Sequence, residues 1–453
     1  MFLYTAFLLS ASIVLGGGTR SGFIGDVILQ VLAVPLLAVA LAKCWRVRPL
    51  LVALPVGCIL AIAVLQLTPW PWPLQTNFIT ELAARGLTLI GEQGSWTYVS
   101  IVPNATAAAL VSILPALAIF YATVLLDHDA RIKLVWVIVF WGGASVLLGF
   151  LQVAQGPSSS LRFFEITNPT EAVGFFANRN HFAALMYVTL LFAVVAYIDL
   201  QNQAAANLTG QRGRSKQSAQ TVALVGLCLM IVATVAGAAM ARSRAGIVLM
   251  MIAGVGAALV AVRYGAFDGS TPGSKSRLRS RAVTIAIVGA ILFAAQFGLY
   301  RFISRFEADP FDDARWGYAL ATYQAAIETM PFATGLGSFV PVFASLEPLT
   351  VTSAVFSNRA HNDPLENFAE MGLVAPILLL GMLTSIAYVI ANGARMTERA
   401  ALQVAAAFVS LVMITLHSLV DYPLRTAALL ACSAIAFSMM IPPMRRPNLE
   451  PNT

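Results

Sequence analysis

Charge is scarce in this chain: Asp, Glu, Lys and Arg make up 11% of its 453 residues, against 58% that are hydrophobic. With a mean hydropathy of +0.79, that balance excludes an ordinary soluble domain, which carries about 25% charged residues. Cysteine is nearly as scarce, with four in the chain. Cys58, Cys228 and Cys432 fall inside apolar runs and Cys44 at the end of one. Neither a C-x-x-C nor a His/Cys cluster of zinc spacing is present, so we expect reduced thiols and no structural metal. Lysine is confined to Lys43, Lys133, Lys216 and Lys275. The formal charge of +7 therefore reflects membrane topology and contact with anionic lipid rather than nucleic-acid binding.

What the chain has instead is long apolar runs. They occur at 2–15, 24–42, 50–67, 105–126, 134–153, 181–199, 221–240, 245–262, 282–299, 371–391, 401–420 and 426–442, each near the length a helix needs to cross a bilayer. The first has no basic region ahead of it and no small-residue cleavage site after it, so it reads as a span and not a signal peptide. The expected fold is all-α: a polytopic integral membrane protein with about twelve transmembrane helices. Drawn that way, Lys43/Arg46/Arg48, Arg131/Lys133, Arg212/Arg214/Lys216, the stretch 263–281, Arg395/Arg399 and Arg445/Arg446 share one side. The positive-inside rule makes that side cytoplasmic, with both termini and a tail at 443–453.

The loops at 68–104, 154–180 and 300–370 then face outward. The first carries Trp70-Pro71-Trp72-Pro73, an interfacial anchor by composition, and a stretch at 78–85 suited to a short surface helix. Linkers at 201–220 and 263–281 are polar and basic, as flexible connectors are. We divide the chain into N-terminal helices at 1–170 and a second transmembrane region at 171–442.

The loop at 300–370 is the longest polar stretch and the place to expect chemistry. It ends in Asn358-Arg359-Ala360-His361-Asn362-Asp363-Pro364-Leu365-Glu366. Asp363, Pro364 and Glu366 read as cap, first-turn proline and capping-box acid of a helix, which sets His361 beside a helix N-terminus that favours anions. Among the outward-side arginines we single out four places where a guanidinium is kept at a span end or in the large loop: Asn178-Arg179-Asn180-His181, Arg242-Ser243-Arg244, Arg315 and Arg359. Guanidinium groups deliver paired donors to phosphate oxygens, so their convergence would suit a diphosphate. The plainer readings are a loop-bonding helix-end role for His361, and ion pairs of Arg244 and Arg315 with Asp312 or Asp313. His181 reads as structural because Asn180 suits a cap, and His417 because Asp421, one turn on, can satisfy it.

At these residues the chain resembles the bacterial O-antigen ligase and O-antigen polymerase family of membrane glycosyltransferases. The resemblance rests on Asn178-Arg179-Asn180-His181, Ser243-Arg244-Ala245-Gly246, Arg315 ahead of Pro331 and Gly335-Leu336-Gly337-Ser338-Phe339, His361 through Glu366 with Glu370-Met371-Gly372, and His417 through Leu424. It runs over roughly 170–425; the first 150 residues match in topology alone. Many relatives have an aromatic residue where this chain has Pro364.

The resemblance implies a multi-pass protein of the bacterial inner membrane whose active site lies in the periplasm, within a large periplasmic loop. It implies transfer of an oligosaccharide or polysaccharide from undecaprenyl diphosphate to an acceptor glycan, either a lipid-linked repeat unit or lipid A core, with no cofactor or metal. Arg244 and Arg315 would hold the diphosphate and His361 would orient or deprotonate the acceptor hydroxyl. Arg242, Arg179, Arg359, Asn178, Asn362, Asp363 and Glu366 would contact substrate. A transporter or flippase of a lipid-linked substrate, or a non-enzymatic envelope-assembly scaffold, also suits a many-span chain. The former predicts repeated halves and midplane charges, neither of which the sequence shows.

Overall fold

The structure is a computed structural model that describes residues 1–20, 22–70, 81, 85–86, 88–89, 91, 98–164, 168–207, 214–264, 314–346, 358–391 and 397–443. Among these residues every regular element is helical. The expected span at 282–299, Asp312 and Asp313, and all of the expected surface helix at 78–85 except 81 and 85, lie outside the described residues.

Eight helices among the described residues are long and apolar enough to cross a membrane. They include α2 (Ile24–Val47), α3 (Pro49–Leu67), α6 (His128–Gln155), α7 (Arg179–Asn207), α8 (Arg214–Met240), α9 (Arg244–Tyr264) and α14 (Glu398–Ser418). The eighth, Pro103–Val124, is divided at Ile113 into α4 (Pro103–Ser112) and α5 (Leu114–Val124). Pro115 in the first turn of α5 accounts for the division, since it can open a helix but cannot donate back to the turn before it. Shorter apolar helices are α1 (Phe2–Leu15), α13 (Val374–Ala391) and α15 (Ala427–Met439). The polar connector at 201–220 is in good part helical, because α7 runs on to Asn207 and α8 begins at Arg214.

The middle of the bundle is α7, with 94% of its apolar window buried. It packs on α6, α8, α9 and α14. Small residues allow these approaches: a Cβ on Gly142 would strike Thr189, and one on Gly246 would strike Ala183. Such close packing is how helices associate where lipid removes the hydrophobic drive. The first and last helices also meet, through Ala428 N–H donating to Gly16 O at 3.1 Å. At the end of the bundle away from His361, the wholly buried Arg131 donates to the carbonyls of Thr123, Val124, Ser438 and Ile441 at 2.6–3.2 Å. One guanidinium thus satisfies the last carbonyls of α5 and α15, groups that a helix end leaves without partners.

Three short helices, α10 (Ala314–Glu328), α11 (Phe339–Leu346) and α12 (Asp363–Met371), form a small layer on the other end. Gln66, at the end of α3, ties it down: its amide donates to Glu370 O at 3.0 Å and accepts from Leu336 N–H at 3.0 Å. The turn at Gly335 and Gly337 fits against the start of α4. Both glycines have positive φ, +98° and +75°, and a Cβ on Gly335 would strike Ser100.

Candidate functional site

His361 is held by strained backbone. Its φ is +54°, in the left-handed region that a non-glycine residue enters at a cost of about 1 kcal/mol or more. The helix it precedes, α12, is capped by Asn362, whose side chain accepts from Leu365 N–H at 2.9 Å. This corrects the expected cap at Asp363, which lies one residue inside the helix. The expected capping box does not form either. Glu366 turns back past the helix start to accept from Ala360 N–H and Arg359 Nη1, both at 2.9 Å. The shift is physical: with the cap at Asn362, the side chain of Asp363 is free to turn inward. There it accepts from Ser418 Oγ at 3.0 Å and faces Arg425 Nε at 3.4 Å.

The imidazole of His361 is 22% exposed, and its Nδ1 lies 3.1 Å from Asp421 Oδ1. Asp421 is wholly buried between α14 and the 3-10 turn at Pro423–Arg425. The side-chain amide of Asn180 donates to its Oδ2, as does that of Asn178 at 3.5 Å, and His181 Nε2 stands 4.0 Å away. Burial alone would raise the Asp421 carboxyl, but the His361 hydrogen bond and the neighbouring imidazoles outweigh it and hold the group well below the usual carboxylate range. An ionised Asp421 fixes the proton of His361 on Nδ1 and leaves the Nε2 lone pair directed away from the carboxylate. Asp421 therefore serves His361, and the ring of His417 turns instead to Tyr187 Oη at 3.2 Å, correcting the expected His417–Asp421 side-chain pairing.

Two tyrosines complete the surroundings. Tyr422 meets His361 edge-on at 5.0 Å between ring centroids, and Tyr318 of α10 lies nearly parallel to it at 6.5 Å. Arg315 stands one turn before Tyr318 on the same helix, so its backbone is adjacent to the site; its side chain lies outside the described residues.

The other expected cations divide. Arg242 and Arg244 are exposed and make no ion pair among the described residues. Arg242 is left-handed at φ +51°, which turns the chain so that Ser243 Oγ can accept from Gly246 N–H at 2.9 Å and cap α9. This turn reaches the His361 end of the bundle by two contacts: Gly246 packs on Ala183, and Ala172 N–H donates to Met240 O at 3.2 Å. Arg179 and Arg359 are instead paired, with Glu171 at 2.8 Å and Glu366 at 2.9 Å. Asn178, not the expected Asn180, caps α7: it accepts from Asn180 N–H at 2.8 Å on its side chain and from Phe182 N–H at 3.2 Å on its carbonyl. The amide of Asn362 donates to Leu419 O at 2.9 Å.

Behind His361 lies a cluster of charges made by Asp363, Glu366 and Glu370 on α12 with Arg359 and Arg425. Burial pushes the Asp363 carboxyl up to about 7, with Glu366 adding to the rise and Arg425 and the Ser418 hydroxyl opposing it. For Glu366 the two guanidiniums outweigh burial and lower the group, whereas burial prevails at Glu370 and raises it. The Arg425 guanidinium, ringed by carboxylates, is held well above its ordinary value even though burial opposes this.

An all-helical bundle with many membrane-length helices, carrying at one end an imidazole bonded to a buried carboxylate, defines a membrane protein. Residues 229–380, about a third of the chain, match the family model described as O-antigen ligase, which supports the resemblance to the O-antigen ligase/polymerase family. Members of the family are glycosyltransferase-type enzymes. A comparison with curated proteins finds no match. The matched segment holds Arg242, Arg244, Arg315 and His361 but stops short of Asp421, Tyr422 and Arg425. The groups that orient His361 thus come from outside it.

Proposed function

We propose that the protein transfers a glycan from undecaprenyl diphosphate to an acceptor sugar hydroxyl at the periplasmic face of the bacterial inner membrane. The observation that carries this reading is the His361–Asp421 pair, 3.1 Å apart, at the bundle end that also bears Arg242 and Arg244. His361 Nε2 takes the proton of the acceptor hydroxyl as its oxygen bonds to the anomeric carbon. The bond from that carbon to the diphosphate oxygen breaks, and Asp421 stabilises the imidazolium that results. Arg244 and Arg315, with Arg242 alongside, neutralise the departing diphosphate, whose oxygens match the guanidinium fork. Arg359 and Glu366 act together in shaping the approach to His361, and Arg179 acts through its pairing with Glu171.

In this reading about twelve spans cross the membrane, both termini are cytoplasmic, and the loop containing α10, α11 and the start of α12 is periplasmic. The acceptor is a lipid-linked repeat unit for a polymerase or lipid A core for a ligase. The Gly335–Phe339 run followed by the His361 motif suits a polymerase at least as well. The test is to incubate purified protein with an undecaprenyl diphosphate-linked repeat, with and without lipid A core. Chain extension without core identifies a polymerase and attachment to core a ligase. Either activity should fall about 10²–10⁴-fold in His361→Ala, with donor binding retained. No transfer under either condition would favour a transporter or scaffold.

A further inference from the structure

Arg425 ends the 3-10 turn that follows Asp421 and Tyr422. Its Nη2 donates to Asn367 Oδ1 at 2.8 Å and to Glu370 Oε2 at 3.0 Å and stands 3.4 Å from Glu366 Oε1, while Nε faces Asp363 Oδ1 at 3.4 Å. Asp363, Glu366, Asn367 and Glu370 recur at the spacing of one helical face, so a single guanidinium, 14% exposed, reads the whole inner face of α12. The same helix begins one residue after Asn362, which follows His361. One side chain therefore fastens the segment that carries the carboxylate to the helix that directly follows the imidazole and its cap.

Stability alone is a poor reason for such a cluster. Taking three carboxylates and two guanidiniums out of water is costly, and well-packed apolar residues commonly serve as well or better. Apolar packing, however, tolerates small slides and rotations, whereas a guanidinium fork bonded in several directions fixes one register. The contact that needs that register is the hydrogen bond from His361 Nδ1 to Asp421.

We propose that Arg425 is a positioning residue for glycan transfer, setting the His361–Asp421 geometry by locking α12 against the turn at 423–425. The inference rests on the reading of His361 as the base, and its test separates the two. Transfer and donor binding are measured for Arg425→Lys in the wild-type background and in the Asp421→Asn background. Lysine keeps the charge and loses the fork.

If Arg425 acts through the pair, Arg425→Lys lowers turnover about 10-fold or more in the wild-type background and about 3-fold or less where Asp421 is already gone, a coupling of the size contacting residues show. Donor affinity should stay within about 2-fold of wild type, because Arg425 touches α12 and not the arginines offered to the diphosphate. Equal losses in both backgrounds, no loss at all, or a loss confined to donor affinity would overturn the positioning role. Should Arg425→Lys fail to fold, Asn367→Ala removes one contact of the fork without touching a charge, and the same pair of backgrounds applies, with a smaller loss expected in wild type alone. An Asp421→Asn protein as active as wild type would overturn both readings. An impaired Asp421→Asn protein with uncoupled Arg425→Lys would overturn only this one.

Discussion

The Nδ1 atom of His361 and the Oδ1 atom of Asp421 are 3.1 Å apart across sixty residues of chain. An imidazole so held has one tautomer and one orientation, which is what the proposed base role asks of a histidine that is only partly exposed. Asp421→Asn keeps the shape and removes the charge. We expect transfer to fall about 10²-fold or more with donor binding unchanged, read as initial rates against a binding isotherm. Asn180→Ala, which removes only a donor to the same carboxylate, should cost about 10-fold or less. Wild-type rates in Asp421→Asn would show that His361 needs no partner.

Tyr318 lies nearly parallel to His361 and meets Phe343 edge-on, with centroids 5.4 Å apart. Its ring is the point at which α10, and with it Arg315, is fixed relative to the base. Tyr318→Phe should transfer like wild type, because the stacking needs only the ring. Tyr318→Ala should lose about 2–10-fold, the equivalent of about 0.5–1.5 kcal/mol for an aromatic contact. A larger loss in the phenylalanine variant would assign the hydroxyl a role of its own.

How much of this was legible in the sequence differs from residue to residue. Among the described residues the apolar runs located the long helices because bilayer length is a hard constraint, and His361 could be placed beside a helix start from Asp363, Pro364 and Glu366. The cap was misplaced by one residue, since Asn and Asp both cap well and only the packed structure reveals which one turns inward. Asp421 was assigned to His417 because one helical turn is the nearest available partner; its true partner is distant in sequence, and no local spacing encodes that. Arg425 escaped notice, though Asp363, Glu366 and Glu370 share one helix face with no cation on that face. Such a face must draw its counter-charge from elsewhere, and an arginine at a break between apolar helices was the available source.

Asp363 predicts a pH dependence of stability. Its ordinary value is 3.8 and burial raises it to about 7 in the folded protein. A carboxyl raised on folding contributes most when protonated, so its contribution is complete below the ordinary value and is lost as pH climbs through about 7. Asp363→Asn mimics the protonated form. Relative to wild type, its unfolding midpoint in detergent should therefore gain between about pH 4 and pH 7 and hold level above. A gap between the two proteins that stays constant from pH 4 to pH 8 would contradict the burial of an ionisable Asp363.

Gly372 closes α12 with φ +57°, and a Cβ there would strike the carbonyl of Pro331. Gly372→Ala should destabilise by about 1–3 kcal/mol, measured by denaturation, and weaken transfer through displacement of the whole helix. Unchanged stability would mean that the loop at 331–333 yields readily.

The carboxylate that orients His361 is read from the message sixty codons after the histidine, and the arginine that fastens the two comes later still. In the proposed topology, a nascent chain that has already threaded its basic turn and its imidazole through the translocon would carry a base with nothing to aim it. The ring meets its partner only when α14 and the turn at 423–425 fold back on the earlier helices, so under the proposed function competence for transfer is acquired late in biogenesis, once the bundle has closed in the bilayer.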